Sequence, residues 1–237
     1  MKICIGQTNP QKGDIDKNIE IHKQLIQTAI EQSADIIVFP ELSLTGYEPD
    51  LAKELATTQS DKRLDTFQNL SDNNKIIIGC GIPTKTGDDL FISMIIFQPN
   101  KERITYSKQY LFPTEIGLYS VGKDPLVIHF DNENIIAPAI CYELSNTEHT
   151  EKAKQNNANI YIASVLNSID GVDNDINKLS NIAKKYKMNV FMANYIGQSG
   201  GYECAGKSSI WNDNGELIDQ LDNKTEGILL YNTKTKL

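Results

Sequence analysis

Cys141 closes the apolar run IIAPAIC and is followed at once by Tyr142 and Glu143, so a strand delivers a thiol to the point where a turn or helix begins. A nucleophile on such a turn is exposed, the backbone N–H groups beside it can hold an oxyanion, and a nearby helix start favours thiolate. The same position would equally suit a small buried hydrophobe. A thiol nucleophile needs a base, and the sequence offers only His22, His129 and His149. His22 falls in a helix and His129 inside a strand, which leaves His149 as the one histidine from which a dyad could form. A carboxylate is the better candidate. Glu41 ends the run DIIVFPE, and an ionisable group closing an apolar strand must reach a cleft or bear a burial cost. Lys108 ends RITYSK, and the following stretch KQYLFPTEIGLYSVG, which carries Glu115, is too apolar for a free loop and suggests packing around a site. Composition and spacing do not join these residues, since a strand-end glutamate or lysine is ordinarily solvated.

The elements that must position them follow from hydrophobic period. Residues 2 to 7 read as a strand, and 17 to 32 carry Ile19, Ile26, Ala29 and Ile30 at helical spacing. DIIVFPE is a buried strand stopped at Pro40. A helix over roughly 60 to 71 leads through Asp72, Asn73 and Asn74 into the buried strand KIIIGCGIP. FISMIIFQPNKERITYSK, VIHFDNENIIAPAICYE and SIWNDNGELIDQL each set a polar turn between two β-rich runs and read as hairpins. A helix near 147 to 157, the strand NIYIAS, a helix near 173 to 187 and the strand NVFMANYIG complete an α/β pattern with mixed strands, with 170 to 175 the most loop-like stretch. Neither a linker nor a shift of composition divides the chain, so a single domain over 1 to 237 is expected.

Bulk properties narrow the function classes. The chain has 237 residues, 40% of them hydrophobic, enough for a sizeable core. No apolar run approaches the ~18 residues of a membrane span, and MKICIGQ lacks the apolar stretch of a secretory signal, so neither membrane nor export is expected. Four cysteines, Cys4, Cys80, Cys141 and Cys204, without paired or ligand spacing fit free thiols in the cytoplasm and speak against a metal site. A net charge of -8 with scattered lysines excludes the basic stripe that nucleic acid demands. The glycines of IIIGCGIP raise a dinucleotide fingerprint, but the third glycine is absent and Pro83 follows.

FPELSLTGYEP from Phe39, YSKQYLF from Tyr106 and PAICYE from Pro138 resemble, in order and at appropriate separations, three signature blocks of the nitrilase or carbon-nitrogen hydrolase superfamily. TEIGLYSVG resembles the family segment bearing a second glutamate, and NVFMANYIG followed by CAGKSSIWNDNGELI resembles its final strand and hairpin. The resemblance implies a four-layer α-β-β-α sandwich with mixed sheets, assembled as a homodimer or larger homo-oligomer. It also implies a catalytic triad of Glu41, Lys108 and Cys141, with Glu115 positioning substrate and Lys108 and the Tyr142 backbone N–H completing an oxyanion site. Cofactors and metals are not implied.

The expected reaction is hydrolysis of a non-peptide carbon-nitrogen bond through a cysteinyl thioester, which splits one hard step into two. Amide and nitrile would use the same residues. The run CYELSNTEH has no arginine after the thiol, and only Arg63 and Arg103 occur anywhere, so a bidentate carboxylate clamp is disfavoured and a neutral or cationic small amide is expected. A non-catalytic binding protein of the same fold is the alternative, and it leaves the retention of four reactive residues unexplained.

Overall fold

A computed structural model describes residues 1–123 and 127–234. The first half runs β1 (Lys2–Gln7), α1 (Ile15–Glu31), β2 (Ile36–Val38), a short α2 (Ala52–Leu55), α3 (Asp65–Asn74), β3 (Ile77–Thr86), β4 (Asp89–Phe97) and β5 (Ile104–Ser107). The second half runs β6 (Ile128–His129), β7 (Ile135–Ile140), α4 (Thr147–Gln155), β8 (Ile160–Ser164), α5 (Val172–Tyr186) and β9 (Asn189–Ala193). It ends in β10 (Ile196–Ser199), β11 (Tyr202–Ala205), β12 (Ser209–Trp211), β13 (Leu217–Gln220) and β14 (Gly227–Asn232).

Two six-stranded mixed sheets result, ordered β14-β1-β2-β3-β4-β5 and β13-β12-β9-β8-β7-β6. Period-2 alternation, with both faces of each sheet covered, explains why the strands read as continuous apolar runs. Ile3, Ile5, Ile36 and Val38 point to a central core shared with Ile136, Ile160, Ile162 and Phe191 of the other sheet. Cys4, Ile37, Ile78 and Cys80, on the opposite face, pack under α1 and α3 with Ile19, Ile26 and Phe67. Ala137, Ala139, Tyr161 and Val190 pack under α5 with Leu179 and Ile182. Three apolar layers between four structural ones make the expected α-β-β-α sandwich.

Several local expectations shift. α3 begins at Asp65 behind a 3-10 turn at Lys62–Leu64, and the expected turn at Asp72 to Asn74 is instead its last helical turn, ended by Lys75 in the left-handed region at φ 57. The stretch 170 to 175 is a turn only as far as Gly171. α5 starts at Val172 and carries Asp173 and Asp175 in its first turn, where negative charge suits the helix dipole. NVFMANYIG is two strands, β9 and β10, with Asn194 bonded to Asn167 and Gly206 at the break. KIIIGCGIP extends to Thr86 and turns at Gly87 into β4, a hairpin the three expected ones do not include. β14, also absent from the sequence reading, pairs antiparallel with β1 and forms the edge of the first sheet.

Candidate active site

Glu41 lies just past β2, and its backbone is fixed by the opposite sheet: Tyr195 donates its hydroxyl to the Glu41 carbonyl oxygen, and Ser164 Oγ donates to the Phe39 carbonyl oxygen at 2.7 Å. The turn that follows has Leu42 at φ 52 and presses against β3. A Cβ on Gly81 would stand 2.6 Å from the Pro40 carbonyl oxygen, so the chain can pass there only over a glycine. The glycines of IIIGCGIP therefore make room for the Glu41 turn and do not cradle a pyrophosphate. From below, Asn18 O accepts from His22 Nδ1 at 2.6 Å, which fixes the tautomer, since a carbonyl only accepts. Ser43 Oγ then donates to His22 Nε2 at 2.9 Å and accepts from Gly81 N. Burial lowers the His22 pKa to about 4.

Lys108, one residue past β5, is fully buried, and its Nζ donates to Glu41 Oε1 at 2.7 Å and to Glu115 Oε1 at 2.8 Å. Glu115 closes a 3-10 turn (Pro113–Glu115) and is 2% exposed, which accounts for the apolar character of the surrounding loop. Tyr47 donates its hydroxyl to Glu115 Oε1 at 3.0 Å, and Phe112 N–H donates to Oε2 at 2.7 Å. Glu115 thus has both oxygens occupied. Glu41 Oε2, by contrast, is buried with no hydrogen-bond partner.

Cys141 follows β7 at φ 46, a left-handed conformation that costs a non-glycine residue about 1–3 kcal/mol and marks a site the surroundings must enforce. Enforcement comes from Glu143, in the 3-10 turn Cys141–Ser145. Its Oε2 accepts from Ile140 N–H at 2.6 Å and from the Tyr106 hydroxyl at 2.8 Å, and its Oε1 accepts from Gln109 N–H at 2.6 Å. One buried carboxylate therefore ties the residue before the thiol to the residue after Lys108. Burial pushes its pKa up to about 7 against the pull of those donors. The sequence reading overlooked Glu143, although an acid two residues beyond an apolar strand end, inside CYE, was the available signal. His149 serves the same network: Nε2 meets the Tyr106 hydroxyl at 2.8 Å and Nδ1 the Tyr161 hydroxyl at 3.0 Å, so both ring nitrogens are engaged and the histidine dyad does not form.

Electrostatically the cluster is one cation between two carboxylates, beside a thiol. Burial raises the Glu41 pKa, opposed chiefly by Lys108, and the Cys141 thiol is close enough to pull it down further. Burial favours neutral Lys108, but Glu41 and Glu115 on either side outweigh it and hold the amine above its ordinary value. Burial and then Glu41 push the Cys141 thiol up, with Lys108 opposing, which favours protonated sulfur, and Sγ donates to the Leu166 carbonyl oxygen at 3.7 Å. Glu41, Glu115, Cys141 and Tyr142 all line one cavity of about 300 Å³. Among the described residues there is no cluster that could hold a metal ion, and no helix is long and apolar enough to cross a membrane.

Three stretches far apart in sequence, bearing Glu41, Lys108 with Glu115, and Cys141, thus come together on the sandwich that was expected. The carbon-nitrogen hydrolase family profile matches residues 2–235, and the chain belongs to that family. It is similar to a nitrilase of Pyrococcus abyssi, 30% identical over 126 residues that cover 52% of this chain and 48% of the relative. It is also similar to a glutamine-dependent NAD(+) synthetase of Acinetobacter baylyi, 24% identical over 92% of this chain and 41% of the relative. The chain spans about half or less of the length of these two curated relatives. In structure it resembles the NitN amidase of Nesterenkonia sp. AN1, with a TM-score of 0.89, 21% identity, and 98% of this chain and 92% of that one covered. That likeness concerns the fold.

Proposed function

We propose that the chain is an amidase-type carbon-nitrogen hydrolase, acting as one domain over 1 to 237, with Cys141 as nucleophile, Glu41 as acid and base, and Lys108 as oxyanion donor. The observation that carries this is the asymmetry around Lys108. Of its two carboxylates, Glu115 has both oxygens occupied, whereas Glu41 keeps a buried oxygen without a partner and its carboxyl lies close enough to Cys141 to feel the thiol. Glu41 Oε2 takes the proton of Sγ as sulfur bonds to the carbonyl carbon of a small amide. Lys108 Nζ and the Tyr142 backbone N–H hold the oxyanion, a kind of contact worth about 3 kcal/mol in the transition state. Glu41 passes its proton to the nitrogen, the carbon-nitrogen bond breaks, and ammonia or an amine leaves a thioester on Cys141. Water then gives a proton to Glu41 and attacks the thioester, the carbon-sulfur bond breaks, and the proton returns to sulfur as the acid departs. Glu115 holds Lys108 in place.

The test is ammonia release from a panel of small amides, with matching nitriles as a second arm, by wild type and Cys141→Ala. Wild-type turnover with an acyl adduct on Cys141 in the mass spectrum supports the reading. Absence of turnover, with Cys141 alkylated by iodoacetamide no faster than Cys4, Cys80 and Cys204, sinks it in favour of a binding protein. Nitrile turnover without amide turnover would move the activity to the alternative substrate. We further infer a cytoplasmic homodimer or higher homo-oligomer: free thiols support a reducing compartment, and Ile116 at 70% and Val121 at 51% exposure support burial against a second copy. Sedimentation checks the assembly.

A further inference from the structure

The cavity that holds Cys141 does not end at the reactive cluster. Part of its lining comes from the first two turns of α5, through Asp175 and Lys178. They lie three residues apart and so share one helix face. Lys178 Nζ donates to Asp175 Oδ1 at 2.9 Å and to Ser145 Oγ at 2.8 Å. Asp175 is only 17% exposed and Lys178 36%, so both charges are partly withdrawn from water, and the cavity they line also carries the apolar side chains of Phe112, Tyr142 and Leu166. Bonding capacity is left over on both. An ammonium has three protons and two are used, Ser145 accepts from the lysine and keeps its own hydroxyl proton, and Asp175 Oδ2 has no partner among the described residues.

Resting on the hydrolase reading above, we propose that this pair is the specificity subsite, and that the substrate is the ω-amide of an α-amino acid, with ammonium and carboxylate on one carbon at the end remote from the amide. The carboxylate takes Lys178 and the Ser145 hydroxyl, and the ammonium takes Asp175. Charge matching discriminates between substrate classes. An anion alone meets Asp175, a cation alone meets Lys178, and a neutral chain leaves the pair bonded to itself. Only a head group carrying both signs satisfies both residues. The span fits as well: Ser145 lies four residues past Cys141 along a 3-10 turn, about 8 Å, roughly a five-carbon chain plus one hydrogen bond. In this proposal the cation that the sequence lacked after the thiol comes from another element, and the substrate differs from the neutral or cationic amide expected from the sequence.

The probes are L-glutamine, glutaramate, 4-aminobutanamide and butyramide, which present the same amide with both charges, the negative alone, the positive alone and none. Their dissociation constants are measured by calorimetry on Cys141→Ala, and ammonia release on the wild type. L-Glutamine should exceed each of the other three by about tenfold or more in both. In Lys178→Met its advantage over 4-aminobutanamide should vanish, and in Asp175→Asn its advantage over glutaramate. Taking ratios within one preparation cancels the folded fraction. Equal handling of butyramide and L-glutamine by the wild type overturns the subsite while leaving hydrolysis standing, as does an unchanged preference in both variants. Selective binding of L-glutamine by Cys141→Ala, with no ammonia released by the wild type from any probe, keeps the subsite and sinks the hydrolase.

Discussion

Glu41 and Glu115 hold the same lysine, and what separates them is the company of their remaining oxygens. Of the two carboxylates on Lys108, Glu41→Gln alters the one with an oxygen that has no partner, so kcat should fall by at least ~10²-fold, within the range for loss of a general acid or base, with substrate binding retained. Glu115→Gln keeps the acceptor for Lys108 and should act through misplacement, with a smaller loss. Steady-state kinetics on the two variants separates the roles, and equal losses would contradict the asymmetry. The pH profile carries its own sign. In the proposed reaction Glu41 must be ionised to accept the thiol proton, and burial raises its pKa. The acid limb of kcat/KM should therefore lie above the ordinary carboxylate range, with activity lost as pH falls through it. Lys108→Met leaves two buried carboxylates facing each other and should destabilise the fold by roughly 3–5 kcal/mol in urea unfolding. Adding Glu41→Gln to it should recover part of that loss.

At the scale of elements, two strand ends from different sheets must be held in register. Gly81 gives the Glu41 turn its passage, and Glu143 ties the elbow of Cys141 to the loop of Lys108. Gly81→Ala should displace the turn, lowering activity more than stability. Glu143→Gln substitutes an amide, whose N–H₂ cannot accept from Ile140, Gln109 or Tyr106, and should cost about 1–3 kcal/mol of stability. Its diagnostic is a fall in kcat with KM little changed, because the elbow moves while the cavity wall stays. These ties were not legible in the sequence. A glutamate gives no sign of which backbone N–H groups will surround it, and the existence of a strand end does not say which turn packs against it. The pair β1–β14 was missed for a related reason, because its strands come from opposite ends of the chain, whereas β3–β4 is a local hairpin whose turn signal at Gly87 was passed over.

For the molecule as a whole, buried ionisable groups couple its stability to pH. Burial lowers His22 and His149 to about 4, so each stays neutral in the fold and must take up a proton in acid. The unfolded chain binds more protons between about pH 4 and 6.5, so the contribution of these two is present above that window and is lost as pH falls through it. Glu143, raised to about 7, acts in the opposite sense, favouring the fold as pH drops below that value. Substituting His22→Gln should flatten the dependence of unfolding free energy on pH by up to about 1.4 kcal/mol per pH unit in mid-window. Denaturant titrations at pH 4.5, 5.5 and 6.5 check it, and parallel curves would show that His22 titrates normally in the fold.

The sequence by itself determined the strand and helix alternation, the apolar runs of strands covered on both faces, and, through three ordered blocks and the separate segment TEIGLYSVG, which residues to single out: Glu41, Lys108 and Cys141, with Glu115. Local period and residue type carry that information, because each strand reports its own burial. Tertiary structure alone decided that Glu41 keeps a free oxygen while Glu115 does not, that Glu143 ties the elbow to the lysine loop, and that Asp175 and Lys178 line the same cavity as the thiol. Each of these depends on distances between residues remote in the chain, and the chemistry of a buried charge is set by the atoms packed against it.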